Sequence, residues 1–156
     1  LDNYLTLSGP SFASEVFKKW PTQVVVAGKN EKHAFRVMDA VASSFFKSYW
    51  QDDVIGCELA GALKNVLALG AGYIEGMGFG YNTMACWVTR GVKEVQICSG
   101  SFGANPLTLI GLSGAGDIML SCFGGLSRNR QCGSRLARGE MLEDIIADIG
   151  QALAAA

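Results

Sequence analysis

A lysine set in a small, apolar helical stripe is the most chemically suggestive residue of this chain. Lys64 has Ala60 and Gly61 one turn before it, Leu67 and Ala68 one turn after it, Asn65 beside it, and Gly72 continuing the small-residue line. At helical spacing these positions crowd one side of the cylinder. Taking an ammonium group out of water disfavours its charged form, which is how a lysine becomes a general base near neutral pH. The same spacing also suits a lysine that snorkels to the surface at the edge of its helix.

Three further clusters carry polar chemistry. Ser127-Arg128-Asn129-Arg130 follows Gly124-Gly125 and stands where a helix should begin. Donor side chains, backbone N–H groups and the positive end of a helix dipole there suit a phosphate dianion. A capped, solvated helix start with arginines paired to acids has the same residues. Asp117 is the only charge between Gly111 and Ser127, so it must either cap a helix or meet a cation. Lys64 and Arg128 are cations with no obvious local partner, and a Lys–Asp pair would orient a base. Gly9-Pro10-Ser11-Phe12-Ala13 follows the first strand-like run. Open α/β sheets place ligand contacts at such strand ends, although a plain turn fits equally well.

Other chemistries find no support. The glycine-rich runs at 70–80 and 111–116 match neither G-x-G-x-x-G after a strand nor the Walker pattern. Cys57, Cys86, Cys98, Cys122 and Cys132 form no C-x-x-C pair, and the only histidine, His33, lies on an amphipathic helix and reads as solvated. No metal site is expected. The cysteines read as reduced, mostly buried thiols, which points to a reducing compartment.

The elements that must position these residues divide near residue 51. Runs at 4–7, 23–27 and 45–50 read as strands, and the apolar spacing of Ala34, Val37, Met38 and Val41 predicts a helix over 31–43. The last two strands and that helix make one β-α-β unit. Beyond it the pattern is helical: a long buried segment from Asp52 or Asp53 through Gly76, and a second from Asn82 or Thr83 ended by Gly103-Ala104-Asn105-Pro106. Shorter helices are predicted over 117–122, 128–137 and 142–152.

Composition bounds the whole. The 156 residues are 49% hydrophobic and 17% charged with a net charge of -1, which excludes a disordered charged tail and the broad positive field of a nucleic-acid binder. No continuous run reaches the roughly 18 apolar residues of a membrane span. The 20 glycines exceed the roughly 11 expected at about 7% usage, implying many turns or close backbone approaches. The first residue is Leu rather than Met, and a strand-like run follows at once, so an internal piece of a longer protein is expected.

Taken in order, GPSFASEV at 9–16, PTQVVVAG at 21–28, DDVIGCELAGALKNVLALGAG at 52–72, GFGYNT at 78–83, GLSGAGDIMLSC at 111–122 and LSRNR at 126–130 resemble the NAD(P)-dependent glycerol-3-phosphate dehydrogenase family. The resemblance implies a mixed fold, with residues 1–51 the C-terminal part of a Rossmann-type NAD-binding domain. Residues 52–156 would be an all-α substrate domain of the 6-phosphogluconate dehydrogenase C-terminal-like kind, truncated at its C-terminus. It implies hydride transfer between NAD or NADP and C2 of sn-glycerol 3-phosphate, interconverting that substrate with dihydroxyacetone phosphate. Lys64 would be the proton acceptor, assisted by Asp117. Gly9, Ser11, Asn65, Ser121, Ser127, Arg128 and Asn129 would bind the phosphorylated substrate, and Ala13 and Arg128 the cofactor. A homodimer is implied, with no nucleic-acid partner and no membrane span, in the cytoplasm or in the stroma of a plastid. Met84 departs from the family's usual Lys and is similar to plastid-type plant members. The family's dinucleotide fingerprint and a further substrate-binding lysine belong to an amino-terminal region outside these residues, so the 156 residues alone are expected to be inactive. The competing readings are a related hydroxyacid dehydrogenase and a non-catalytic helical dimerisation module.

Overall fold

A computed structural model describes residues 3–154, with side chains described through 149. Three strands form one sheet in the order β1 (Thr6–Ser8), β2 (Thr22–Ala27), β3 (Phe46–Gln51). β1 runs antiparallel to β2 with Thr6 opposite Ala27, and β2 runs parallel to β3 with Thr22 opposite Phe46. Val24, Val25, Val26 and Ala27 are buried in succession, the pattern of a central strand covered on both faces. Helix α2 (Glu31–Val41) makes the crossover, opened by Asn30, whose side-chain oxygen accepts from the His33 N–H. The expected β-α-β unit is present, its boundaries moved by one or two residues. His33 itself is half-buried rather than fully solvated.

The rest of the described chain is helical. α3 (Val54–Gly76) begins where β3 ends, with the Asp53 carboxylate accepting from the N–H groups of Gly56 and Asn105. One acid thus caps the helix and ties a distant loop to the junction. α4 (Tyr81–Gly100) starts behind Gly80, not behind Asn82 or Thr83, which lie exposed in its first turn. The glycine turn through Gly78 (φ 78°) reverses the chain earlier than a side-chain cap would. α5 (Asp117–Phe123), α6 (Arg128–Ala137) and α7 (Leu142–Ala154) fall where their patterns place them. Three elements were not legible: α1 (Ala13–Phe17) and a 3-10 turn over Thr108–Ile110, both too short to show a period, and a π-turn over Leu112–Gly116.

α3 is the axis of the helical part. A Cβ on Gly72 would strike the carbonyl of Arg130, and one on Gly133 the carbonyl of Leu69, so α3 and α6 pack backbone against backbone. The opposite side of α3 buries Ala60, Leu67 and Ala71 with Met84 and Val88 of α4, Leu109, and Ile118 and Cys122 of α5. Met84 is therefore a core residue here. α3 is long and apolar enough to cross a membrane by length and composition alone, yet in this fold α4, α5 and α6 all pack on it. The cysteines depart from expectation. Cys57 and Cys122 are buried, Cys132 is intermediate, and Cys86 and Cys98 are exposed because α4 buries the stripe Met84, Val88, Gly91, Val95 and Ser99 instead.

Candidate functional site

Lys64 of α3 meets Asp117, the first residue of α5, at 2.5 Å between Nζ and Oδ2. The lysine side chain is 24% exposed and the aspartate 8%, so the pair has one open side. Of the two roles open to Asp117, it takes the cation. Burial pushes its carboxyl above the ordinary 3.8, while the Lys64 ammonium pulls the other way. A carboxylate held this way keeps the lysine side chain from swinging out to solvent.

The π-turn aims that carboxylate. Gly114 lies so close over Leu109 that a Cβ would collide with its backbone, and Ser113 is fully buried. The Cys57 thiol donates to Ser113 Oγ at 3.3 Å, and Gln51 Nε2 donates to Cys57 Sγ. The turn leading into Asp117 is thereby fastened both to α3 and to the end of β3. π-turns recur at functional sites because they shift the next side chain off the regular helical track. Ser121 follows Asp117 by four residues on α5, on the same face, and is buried.

α6 brings the second cluster. Ser127 caps it, Oγ accepting from the Arg130 N–H at 3.4 Å, and is itself buried. Arg128 and Asn129 are exposed in the first turn; Asn129 Nδ2 donates to Asn65 Oδ1 at 3.0 Å, joining α6 to the residue beside Lys64. Arg128 makes no ion pair among the described residues, whereas Arg130 pairs with Glu75. The two arginines of the motif therefore differ in kind.

The loop after β1 completes the surroundings. Gly9 is buried at φ 139°, a conformation an L side chain rarely takes, and Ser11 Oγ donates back to its carbonyl at 3.1 Å. Pro10 lies against Gly116, directly before Asp117, and Phe12 packs against Gly124, shortly before Ser127. Gly9, Ser11 and Ala13 are thus carried to the edge of the helical cluster, with Ala13 exposed. Among the described residues no group of acids, cysteines and histidine could hold a metal ion. Cys57 and Cys122 are not nucleophiles in this setting: burial raises both thiols, that of Cys122 to about 11.

The arrangement offers a base or acid on a positioned lysine, an amide pair next to it, and an unpaired guanidinium at a ten-residue helix start. Comparisons with known proteins bear on what it acts upon. A profile of the family described as "NAD-dependent glycerol-3-phosphate dehydrogenase C-terminus" matches residues 53–156. The chain is 48% identical over 145 residues to a glycerol-3-phosphate dehydrogenase, NAD(P)+, of Leptospira biflexa, covering 93% of this chain and 44% of that one. It is 49% identical to a chloroplastic glycerol-3-phosphate dehydrogenase, NAD(+), of Arabidopsis thaliana, covering 95% of this chain and 35% of that one. A crystal structure of the Coxiella burnetii glycerol-3-phosphate dehydrogenase superposes with a TM-score of 0.91 at 37% identity, over 94% of this chain and 45% of the other. The chain spans less than half the length of each of these relatives.

Proposed function

The chain belongs to the NAD-dependent glycerol-3-phosphate dehydrogenase family, and from that premise we propose that its site interconverts sn-glycerol 3-phosphate and dihydroxyacetone phosphate. The observation that carries the reading is the Lys64–Asp117 pair standing beside the Asn65–Asn129 bridge. Oxidising a secondary alcohol requires removal of the hydroxyl proton as hydride departs. Lys64 Nζ accepts that proton, and in the reverse direction its ammonium donates to the ketone oxygen. Asp117 holds Nζ in place and balances its charge when protonated. Asn65 and Ser121 orient the substrate hydroxyls, with Gly9 and Ser11 closing the near wall. Ser127, Arg128 and Asn129 take the phosphate, whose binding fixes C2 relative to the base.

NAD or NADP supplies the hydride acceptor when bound. The residues present fit the edge of such a cofactor: the unpaired Arg128 and the exposed start of α1 at Ala13 would hold it, on residues 1–51 as the end of a cofactor domain. No dinucleotide phosphate loop occurs in the 156 residues, so on this reading turnover requires residues outside them. The same reading expects a homodimer, in the cytoplasm or in the plastid stroma of a photosynthetic eukaryote.

The test is glycerol 3-phosphate-dependent reduction of NAD or NADP by the complete polypeptide that carries this sequence. Lys64→Ala is expected to lower kcat by roughly 10²–10⁴, the usual worth of a positioned acid–base group. Unchanged turnover in that variant overturns the assignment. Turnover of 3-hydroxy acids in place of glycerol 3-phosphate transfers the site to a related dehydrogenase class, and no turnover of either leaves a non-catalytic helical module.

A further inference from the structure

We propose that the Arg130–Glu75 ion pair is a positioning clamp that sets the phosphate-binding turn of α6, and so governs substrate affinity without touching substrate; this rests on the reading above. Arg130 is held in three ways at once. Its N–H donates to the Ser127 cap, its carbonyl lies where only a glycine, Gly72, leaves room on α3, and its Nη2 pairs with Glu75 Oε1 at 2.5 Å. Asn129, one residue earlier, is bridged to Asn65. The attachment points on α3, residues 65, 72 and 75, lie along one side of that helix, and all of them engage the first turn of α6. Arg128, the residue between Ser127 and Asn129, is left projecting outward with no ion pair among the described residues.

Packing does not explain Arg130. Its side chain is 17% exposed, its Nε is fully buried with no acceptor among the described residues, and Glu75 and Arg130 border a cavity of about 380 Å³ walled by Phe79, Tyr81, Met84 and Cys122. A well-packed apolar side chain there would carry no such desolvation cost. An ion pair open to solvent on its Glu75 side adds little net stability, so what it supplies here is orientation. Here the orientation fixed is that of a helix turn. Rotating the turn by a fraction of a residue would carry Asn129 away from Asn65 and swing Arg128 with it. Without the clamp the bound phosphate must itself order the turn, so the cost falls on binding, while in the complex C2 keeps its place against the base.

Glu75→Gln keeps a hydrogen-bonding group at a position 43% exposed and removes only the charge. In the complete polypeptide it should raise KM for glycerol 3-phosphate about tenfold while kcat changes less than about threefold, and should weaken inorganic phosphate binding, read by calorimetry, by a similar factor. Arg130→Lys, which keeps charge but not the fork, should fall between wild type and Arg130→Gln. Glu140→Gln, which removes an ion pair with Arg135 near the other end of α6, is the control and should leave both constants unaltered. An unchanged KM and phosphate affinity in Glu75→Gln overturns the clamp while leaving the dehydrogenase reading standing. An equal shift in Glu140→Gln also overturns it, because general loosening of α6 would then suffice. A wild-type protein without dehydrogenase activity refutes the reading of function, and the calorimetric comparison then decides the clamp by itself.

Discussion

At the scale of single residues, types were legible and partnerships were not. Lys64 and Asp117 stand out as lone charges in apolar surroundings, but they are 53 residues apart, and only the fold turns two candidates into one pair. The Ser127-Arg128-Asn129-Arg130 motif shows the converse. Four adjacent polar residues read as one cluster, yet one caps, one projects, one bridges to Asn65 and one clamps Glu75. The buried aspartate leaves a signature in stability. Its folded-state pKa lies above the unfolded 3.8, so the native state binds its proton more tightly and the group favours folding most at low pH. That contribution is lost as pH rises from about 3.8 through the raised folded value. The stability of wild type relative to Asp117→Asn, measured by urea unfolding at stepped pH, should therefore decline across that interval. A difference that grows with pH would mean that the Lys64 attraction outweighs burial.

At the scale of elements, the helices were readable wherever a face repeats and unreadable wherever glycine sets the geometry. α2 follows its apolar period, α3 its long apolar run and α6 its Ser127 cap, whereas the start of α4 is displaced to Gly80 and the Leu112–Gly116 π-turn leaves no periodic trace. The glycine excess was visible in composition. What it serves became visible only in the α3–α6 contact, because a small-residue face does not name the helix that will lie on it. The contact makes a sharp contrast between two glycines of α3. Gly72→Ala pushes a methyl into the Arg130 carbonyl and should lower unfolding free energy by ~1–3 kcal/mol. Gly61 has open space around its Cβ position, so Gly61→Ala should gain up to ~1 kcal/mol from helix propensity. Urea midpoints for the two variants measure both. Equal midpoints would show that α6 can back away from α3 at little cost.

At the scale of the whole molecule, the shift from α/β to helix near residue 51 was evident from pattern, and the family profile begins at residue 53. How the two parts join was not evident, because the joint is made by contacts between distant segments: Pro10 on Gly116, Phe12 on Gly124, Cys57 between Gln51 and Ser113. Charge is the other whole-molecule property that bears on function. With a net charge of -1, no global positive field draws in a dianion, so capture of phosphate must be local. Arg128 is the exposed cation of the α6 first turn, and a hydrogen bond to a charged group is worth about 1.5–3 kcal/mol, or about 10- to 150-fold in affinity. Arg128→Gln should therefore raise KM for glycerol 3-phosphate by at least about tenfold and remove most of its dependence on ionic strength, since the screened interaction is the one deleted. Measuring KM at stepped salt for both proteins separates this from a diffuse field. If the variant kept the wild-type KM and salt slope, the phosphate would have to lie elsewhere, and the α6 first turn would be a solvated helix start after all.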